Sequence, residues 1–364
     1  MSRLRIETDI LRIPFRDPFR ISRDMSGEVA VTVVVQISSD ADREVGRRGL
    51  GEGFPDTYYG ENPDTMAAVM PLLLEAVQPF EERLGRDPDE TRAALVGAST
   101  SMDTAIRHHG AAKCAVDIAL HDLAARRMRM PLHDLLGLSR DIPPTDFTIG
   151  IDTPDMVGWR ASRASRFPAL KIKVGGPADV ETLEAVRAVY DGPIRVDANT
   201  GWHPDQAVAM LPDLERLGVE LIEQPFPATR LQQLRWLQER SSLPIVADES
   251  CVVYEDLESL VGVVQGVNVK LAKCGGVGPA KRMLERAREL GFKRFLGCME
   301  ETSVGIAASA AVASLADWVD LDGCLLLGAD PYEGLELDAD CRWMLSREPG
   351  LGVHERESEL PPRV

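Results

Sequence analysis

Short apolar runs alternate with longer amphipathic stretches through the second half of this chain. Eight of these runs predict buried strands, because parallel strands covered on both faces are hydrophobic almost throughout. The predicted strands cover residues 147–151, 170–174, 194–198, 221–224, 245–248, 267–271, 295–298 and 318–321. Between them, apolar residues recur at helical spacing, as in Leu231, Leu234 and Leu237. Eight strands with interleaved helices predict an α/β fold of the (β/α)8 type, a modified TIM barrel, and not an open sheet.

A different pattern covers the first 140 residues. Two β-rich runs predict strands and two periodic stretches predict long helices. These segments are residues 4–13, 31–37, 65–84 and 111–136. Pro143-Pro144 then marks a boundary. We therefore expect an N-terminal α+β capping domain at residues 1–140, a barrel at 141–330, and a C-terminal tail at about 331–364 that returns to the cap.

The charge balance excludes some classes of partner. The chain has 41 basic and 58 acidic residues, a net charge of −17, which argues against nucleic acid and against an anionic membrane surface. No apolar run approaches the roughly 20 residues that a membrane-spanning helix needs. A 44% share of hydrophobic residues is enough for a full core. These properties fit a globular protein that works away from nucleic acids and membranes.

The cysteines and histidines indicate the compartment. Six cysteines are scattered with no close pair, which favours reduced thiols. The first residues contain no signal-peptide core, and the six histidines show no zinc-binding spacing. We therefore expect a cytoplasmic protein.

One glycine-rich segment has part of a dinucleotide-binding pattern. Gly49-Leu-Gly-Glu-Gly53 follows a predicted strand, as a dinucleotide-binding loop would. Its glycine fingerprint is incomplete, however, and the residues from Pro55 onward do not open a helix. The pattern therefore favours a surface loop over a cofactor site.

Three carboxylates each close a predicted barrel strand. Asp197, Glu223 and Asp248 follow one another at steps of 26 and 25 residues, about the length of one strand, one helix and two loops. In a parallel barrel this spacing brings the three side chains together at one mouth. Three converging anions need a cation among them, and carboxylate oxygens suit a hard ion such as Mg²⁺. The sequence therefore predicts one Mg²⁺ site per subunit.

Lysines occupy the strands on either side of this trio. Lys171 and Lys173 are two residues apart and so share a face of their strand. Lys270 and Lys273 belong to the predicted sixth strand and its end. Amines that flank a metal are useful if one takes a proton and another returns it, so these lysines are candidate acid/base groups.

The motifs in which these residues stand resemble those of a known family. They are Lys171-x-Lys173, Asp197-x-Asn199, Glu223-Gln-Pro225, Asp248-Glu-Ser250 and Asn268-x-Lys270-x-x-Lys273. Together they resemble the enolase superfamily and, within it, the muconate lactonising subgroup. The segment Asp320-x-Asp322 resembles the last barrel strand of the dipeptide epimerases, and the segment around Met299 resembles their seventh strand.

The resemblance implies an isomerase, a Mg²⁺-dependent dipeptide epimerase. Such an enzyme moves a proton at the α-carbon of the C-terminal residue through an enediolate intermediate. In this reading Lys173 and Lys270 are the two acid/base groups, and Lys171 lowers the pKa of the base beside it. Asp320 and Asp322 would bind the ammonium group of the dipeptide.

Substrate recognition is also expected from Met299 and from the cap. The segments around Arg23 and Tyr58 resemble those that close over the substrate in this family. Arg23 suits an acidic side chain and Tyr58 an apolar one, so the preferred dipeptide stays open, as do the roles of Lys273, Glu300 and Glu301 and the question of a homo-oligomer.

Three other reactions use the same scaffold: muconate cycloisomerisation, o-succinylbenzoate synthesis and N-acylamino-acid racemisation. Their substrates lack an ammonium group, which leaves Asp320 and Asp322 unexplained. A non-catalytic binding protein is disfavoured, because a decayed enzyme would be expected to lose a metal carboxylate or a lysine.

Overall fold

The computed structural model describes residues 3–24 and 27–356. Its first part is a three-stranded antiparallel sheet covered by helices. The strands, in spatial order, are β1 (Arg5–Pro14), β2 (Val29–Ser38) and β3 (Gly49–Gly53). The helices are α1 (Asp40–Glu44), α2 (Pro63–Val77), α3 (Pro88–Ala105), α4 (Gly110–Met128) and α5 (Leu132–Leu136), with 3-10 turns at Thr57–Tyr59 and Gln78–Arg83.

Local chemistry explains where these helices begin. The Asn62 side chain accepts a hydrogen bond from the Thr65 N–H, and Pro63 occupies the first helical position of α2. Both features favour a helix start. Helix α4 is different, because every residue from Ala111 to Ala125 is buried. A helix that is buried all round lies between two layers, and α4 packs against β3 on one side and the barrel on the other.

The glycine-rich segment predicted as a surface loop is a buried strand, β3, so that prediction was wrong. A Cβ atom at Gly51 would lie 2.0 Å from the Ala115 carbonyl oxygen of α4. The glycines allow the strand and the helix to approach backbone to backbone. Glycine spacing alone does not distinguish this close packing from a loop.

The second part is a barrel of eight parallel strands that follow one another in chain order. They are β4 (Phe147–Ile149), β5 (Leu170–Lys173), β6 (Ile194–Asp197), β7 (Val219–Glu223), β8 (Ile245–Ala247), β9 (Gly266–Lys270), β10 (Lys293–Gly297) and β11 (Trp318–Asp320). A parallel bridge between Thr145, just before β4, and Val319 of β11 links the first barrel strand to the last. This confirms the predicted (β/α)8-type barrel with an N-terminal α+β cap.

Helices surround this barrel. They are α6 (Pro154–Arg163), α7 (Asp179–Arg187), α8 (Pro204–Arg216), α9 (Leu231–Gln238), α10 (Asp256–Leu260), α11 (Leu271–Cys274), α12 (Val277–Glu289), α13 (Ser303–Ala310) and α14 (Gly323–Leu326), with a 3-10 turn at Ala313–Leu315. Leu234 and Leu237 of α9 are fully buried, as their spacing predicted. No helix among the described residues is both long and apolar enough to cross a membrane.

Four short strands follow the barrel. They are β12 (Tyr332–Glu333), β13 (Glu336–Leu337), β14 (Trp343–Met344) and β15 (His354–Glu355). This segment contacts the cap: the Leu351 N–H donates to Asp122 Oδ1 at 2.8 Å, and the Leu132 N–H donates to the Gly350 carbonyl at 2.9 Å. Gly350 and Leu351 therefore lie against α4 and the start of α5.

Candidate active site

The three predicted metal carboxylates converge at the carboxyl ends of neighbouring strands. Asp197 ends β6 and stands in register with Glu223, which ends β7, and Asp248 follows β8. One oxygen from each lies within 4.8 Å of the others, and all three side chains are buried. Burial and the charge of Asp197 raise the pKa of Glu223 to about 7. A cation among the three would relieve this repulsion, so the all-oxygen donor set fits Mg²⁺.

Lysines approach this triad from two sides. Lys173 Nζ lies 2.7 Å from Asp197 Oδ2, and Lys270 Nζ lies 2.9 Å from Asp248 Oδ2. Their strands, β5 and β9, are separated by the three strands that carry the carboxylates. The two amines therefore stand at opposite ends of the row of acids.

Lys171 is a shared counter-ion. Its side chain is 1% exposed, and Nζ lies 2.8 Å from Asp320 Oδ2, 2.9 Å from Glu223 Oε2 and 3.3 Å from Asp197 Oδ2. Burial alone would lower the pKa of Lys171, but the charges of Asp320 and Glu223 outweigh it and raise this pKa well above its usual value. Lys171 therefore carries a positive charge among the carboxylates.

Asp320 and Asp322 are both buried and line the same pocket. Asp320 accepts a hydrogen bond from Thr148 Oγ1 at 3.2 Å, and Asp322 accepts one from the Thr148 N–H at 2.5 Å. Burial raises the pKa of Asp320, but Lys171 outweighs it and the net pKa is low. Burial and the charge of Asp320 raise the pKa of Asp322 well above its usual value. Thr148 had no sequence signal, because it stands in a short strand without a motif.

Lys273 is fully buried, so it is no surface residue. Its Nζ binds an oxygen of the Asp248 carboxylate and also donates to the carbonyls of Asp248, Cys251 and Asn268, at 2.7, 2.9 and 3.0 Å. It therefore holds Asp248 in place. Asn268, quoted in the motif without a role, donates from Nδ2 to Glu223 Oε1 at 2.7 Å. Its position two residues before Lys270 on one strand face was the available signal.

The cap closes the pocket from above. Arg23 binds Glu249 and lies 4.2 Å from the centroid of the Tyr58 ring. Glu249 also accepts a hydrogen bond from Asn199 Nδ2 at 3.3 Å. It is not one of the three carboxylates that converge in the triad. Tyr58 is 42% exposed, and its neighbour Tyr59 lines the pocket.

The pocket itself is small. It encloses about 70 Å³, and its lining includes Lys171, Lys173, Lys270, Met299 and Glu300. A wider cleft of about 1300 Å³ lies beside it and shares its Tyr59 and Met299 walls. The geometry therefore supplies a buried chamber with three lysine amines, an acidic metal site and an additional carboxylate pair.

The family comparison agrees with this arrangement. Residues 5–137 match the mandelate racemase / muconate lactonizing enzyme N-terminal domain, and residues 157–359 match the enolase C-terminal domain-like family. The chain belongs to this family, the muconate lactonising type of the enolase superfamily, as its motifs indicated.

The chain is also similar to individual proteins whose names state a reaction. The chain is 37% identical over 311 residues to the L-Ala-D/L-Glu epimerase of Bacteroides thetaiotaomicron, covering 85% of this chain and 78% of the relative. It is 36% identical to the hydrophobic dipeptide epimerase of Roseobacter litoralis, covering 91% and 93% of the two chains. The crystal structure of a dipeptide epimerase from Cytophaga hutchinsonii, complexed with Mg and D-Ala-L-Val, superposes with a TM-score of 0.87 at 28% identity over 98% and 96% of the chains.

Proposed function

We propose that this protein is a Mg²⁺-dependent dipeptide epimerase, an isomerase that inverts the α-carbon of the C-terminal residue of a dipeptide. One observation carries the proposal: Lys173 and Lys270 stand at the two ends of the carboxylate triad, with Asp320 and Asp322 in the same pocket. The names of relatives and the dipeptide complexes of similar structures support it.

The chemistry requires help from positive charge. The α-carbon beside a free carboxylate is a very weak acid, because its deprotonation gives an enediolate with two negative oxygens. Asp197, Glu223 and Asp248 would hold Mg²⁺, which would supply positive charge to stabilise the developing anion. Lys171 adds a fixed positive charge among the same carboxylates. The burial of the pocket strengthens these electrostatic interactions.

Inversion needs one acid/base group on each face of the planar intermediate. A neutral amine of Lys173 or Lys270 removes the α-proton from one face, and the ammonium of the other lysine returns a proton to the opposite face. The α-carbon thereby regains one proton with inverted configuration, and the two lysines exchange protonation states. Which lysine begins depends on whether the substrate residue is L or D.

The carboxylate pair selects a dipeptide over the alternative substrates. Asp320 and Asp322 together can receive the substrate ammonium through charge-assisted hydrogen bonds. Muconates, o-succinylbenzoate precursors and N-acylamino acids offer no ammonium group there, so the buried acids would stay without a cationic ligand. Arg23, Tyr58 and Met299 are proposed to contact the dipeptide side chains.

The proposal includes the organisation of the chain. Residues 1–140, with the tail from about 331, form the cap, and residues 141–330 form the barrel that carries the chemistry. The contacts of Gly350 and Leu351 with α5 and α4 support the return of the tail. Six free cysteines support a reducing compartment, the cytoplasm.

The test is proton exchange in D₂O. A mixed dipeptide library incubated with enzyme and Mg²⁺ is expected to gain one deuterium at one α-carbon, with a change of configuration seen by chiral chromatography. The Lys173→Ala/Lys270→Ala double variant should leave every dipeptide unlabelled. Turnover of a muconate or an N-acylamino acid without labelling of any dipeptide would contradict the proposal.

A further inference from the structure

A buried glutamate of the cap accepts hydrogen bonds from residues other than the lysines and the metal carboxylates. Glu52 of β3 is 0% exposed, and its carboxylate accepts four hydrogen bonds. Oε1 accepts from Thr32 Oγ1 at 2.7 Å and from the Thr302 N–H at 2.9 Å. Oε2 accepts from Thr302 Oγ1 at 2.6 Å and from the Gly305 N–H at 2.9 Å. Three of the four donors belong to the barrel.

These donors form the start of a barrel helix. Thr302 is the N-cap of α13, and the N–H groups of Thr302 and Gly305 belong to the helix start. The positive end of a helix favours a carboxylate at this position. Burial raises the pKa of Glu52, and the four hydrogen bonds oppose that rise. A group this costly to bury is retained only where its contacts compensate, and here they join the cap to the barrel.

The segment that Glu52 holds leads directly into the pocket. Cys298, Met299 and Glu300 line the pocket, and Thr302 follows two residues later. Between them, Glu301 is buried and its Oε1 has no hydrogen-bond partner within residues 3–24 and 27–356. Burial and the charge of Glu52 raise the pKa of Glu301 to about 8. Beyond Glu52, the next anchor along the chain is Asp330, whose Oδ2 accepts hydrogen bonds from the Ser303 N–H at 2.9 Å and from Ser303 Oγ at 2.5 Å.

We propose that Glu52 is a positioning residue of the active site: from the cap, it fixes the segment from Met299 to Thr302 and so sets the pocket wall that faces the substrate. This inference rests on the proposed dipeptide epimerase function. Glu52 does not touch the lysines or the metal carboxylates through any of its four hydrogen bonds, so it acts on substrate binding and not on proton transfer.

The test uses substitutions on both sides of the contact. Each oxygen of Glu52 accepts one backbone N–H, so the amide nitrogen of Glu52→Gln must face one of them as a second donor. Thr302→Val removes the hydroxyl from the barrel side, and Thr302→Ser keeps it. We expect Glu52→Gln and Thr302→Val each to raise the KM for the dipeptide at least about tenfold. Glu52→Gln leaves a buried N–H donor without an acceptor, and Thr302→Val leaves Glu52 Oε2 without its hydroxyl donor. The kcat and the Mg²⁺ dissociation constant should change less than about threefold. Thr302→Ser, which keeps the hydroxyl, should have the KM of the wild type.

Asp42→Asn is the matched control. Asp42 is a buried cap carboxylate that binds Arg127 and Ser39 within the cap. Its substitution should lower the melting temperature and leave KM unchanged. An equal rise of KM in Asp42→Asn, or an unchanged KM in Glu52→Gln, would overturn the inference.

A second measurement does not depend on activity. Backbone amide exchange, followed by mass spectrometry on peptides covering residues 298–306, should be at least about tenfold faster in Glu52→Gln than in the wild type. Unchanged exchange would overturn the inference even if activity falls. A wild-type enzyme that is inert toward all dipeptides would overturn the proposed function instead, and the exchange result alone would then decide the role of Glu52.

Discussion

Lys171 and Asp320 form a buried ion pair inside the barrel, with Nζ 2.8 Å from Oδ2. The pair joins the second barrel strand to the eighth. It also gives different surroundings to Asp320 and Asp322, the two aspartates that were expected to bind the substrate ammonium. Much of the charge of Asp320 is balanced by Lys171, whereas Asp322 is held through the Thr148 N–H. We therefore expect Asp322 to contribute more to recognition of the ammonium than Asp320.

Substitution of Asp322 tests its role in binding the substrate ammonium. Asp322→Asn should raise the KM for dipeptides about 10- to 100-fold, since a hydrogen bond to a charged group contributes about 1.5–3 kcal/mol. Steady-state kinetics with a dipeptide and its N-acetyl derivative would measure the effect. Asp317→Asn is the control, because Asp317 precedes the same strand and binds Arg294 away from the mouth. Equal kinetics for the dipeptide and its acetylated form in the wild type would exclude ammonium recognition.

The two catalytic lysines should be separable by isotope exchange. Lys173→Ala and Lys270→Ala should each lower epimerisation by roughly 10²–10⁴-fold, the usual contribution of an acid/base group. Each variant retains one of the two acid/base lysines, so each should still exchange the α-proton of one enantiomer in D₂O without inverting it. NMR of separate L- and D-substrates would detect this, with the exposed Lys293→Ala as control. Exchange of the same enantiomer by both variants would contradict placement on opposite faces.

The metal site makes a binding prediction. Loss of an outer partner of a metal ligand costs about 10–100-fold in affinity, so Asp197→Asn should weaken Mg²⁺ binding at least about 100-fold. Titration calorimetry measures this directly, and Asp213→Asn, at a surface ion pair of α8, is the control. Chelation should abolish epimerisation and added Mg²⁺ restore it. Full activity after exhaustive chelation would be incompatible with the proposed site.

Lys273 should matter for stability. It is fully buried, and Lys273→Met would leave the carboxylate of Asp248 without this charged partner. Breaking a buried ion pair from one side lowers the free energy of unfolding by about 3–5 kcal/mol. Urea denaturation would measure the loss, against Lys281→Met at the surface of α12. A loss below about 1 kcal/mol would mean that the pair contributes little.

His121 predicts a pH dependence of stability. Burial lowers its pKa, but Asp117, at 3.3 Å, outweighs burial and the net pKa is raised above the unfolded value of 6.5, despite the opposing charge of Arg282. Its stabilisation is therefore complete below about pH 6.5 and is lost as the pH rises through the folded pKa. Urea unfolding of the wild type and His121→Gln between pH 5.5 and about 9 should converge at high pH. The exposed His203→Gln should show no such convergence, and a gap that widens with pH would refute the assignment.

The surroundings of the glycine-rich strand and of Lys273 could not be predicted from the sequence. Gly49 to Gly53 has the spacing of a loop, and only the neighbouring α4 backbone explains why its glycines are needed. The sequence left the role of Lys273 open, and the structure makes it structural because four oxygens surround its amine. In both cases the deciding atoms come from another element, which local spacing does not reveal.

The sequence by itself determined the barrel and the meeting of Asp197, Glu223 and Asp248, because a parallel barrel brings successive strand ends to one mouth. Only the tertiary structure decided which charges neutralise one another. Lys171 and Asp320 are 149 residues apart, and Glu52 and Thr302 are 250 residues apart. No periodicity relates side chains on such distant elements, so their pairing follows from the closure of the barrel and the docking of the cap.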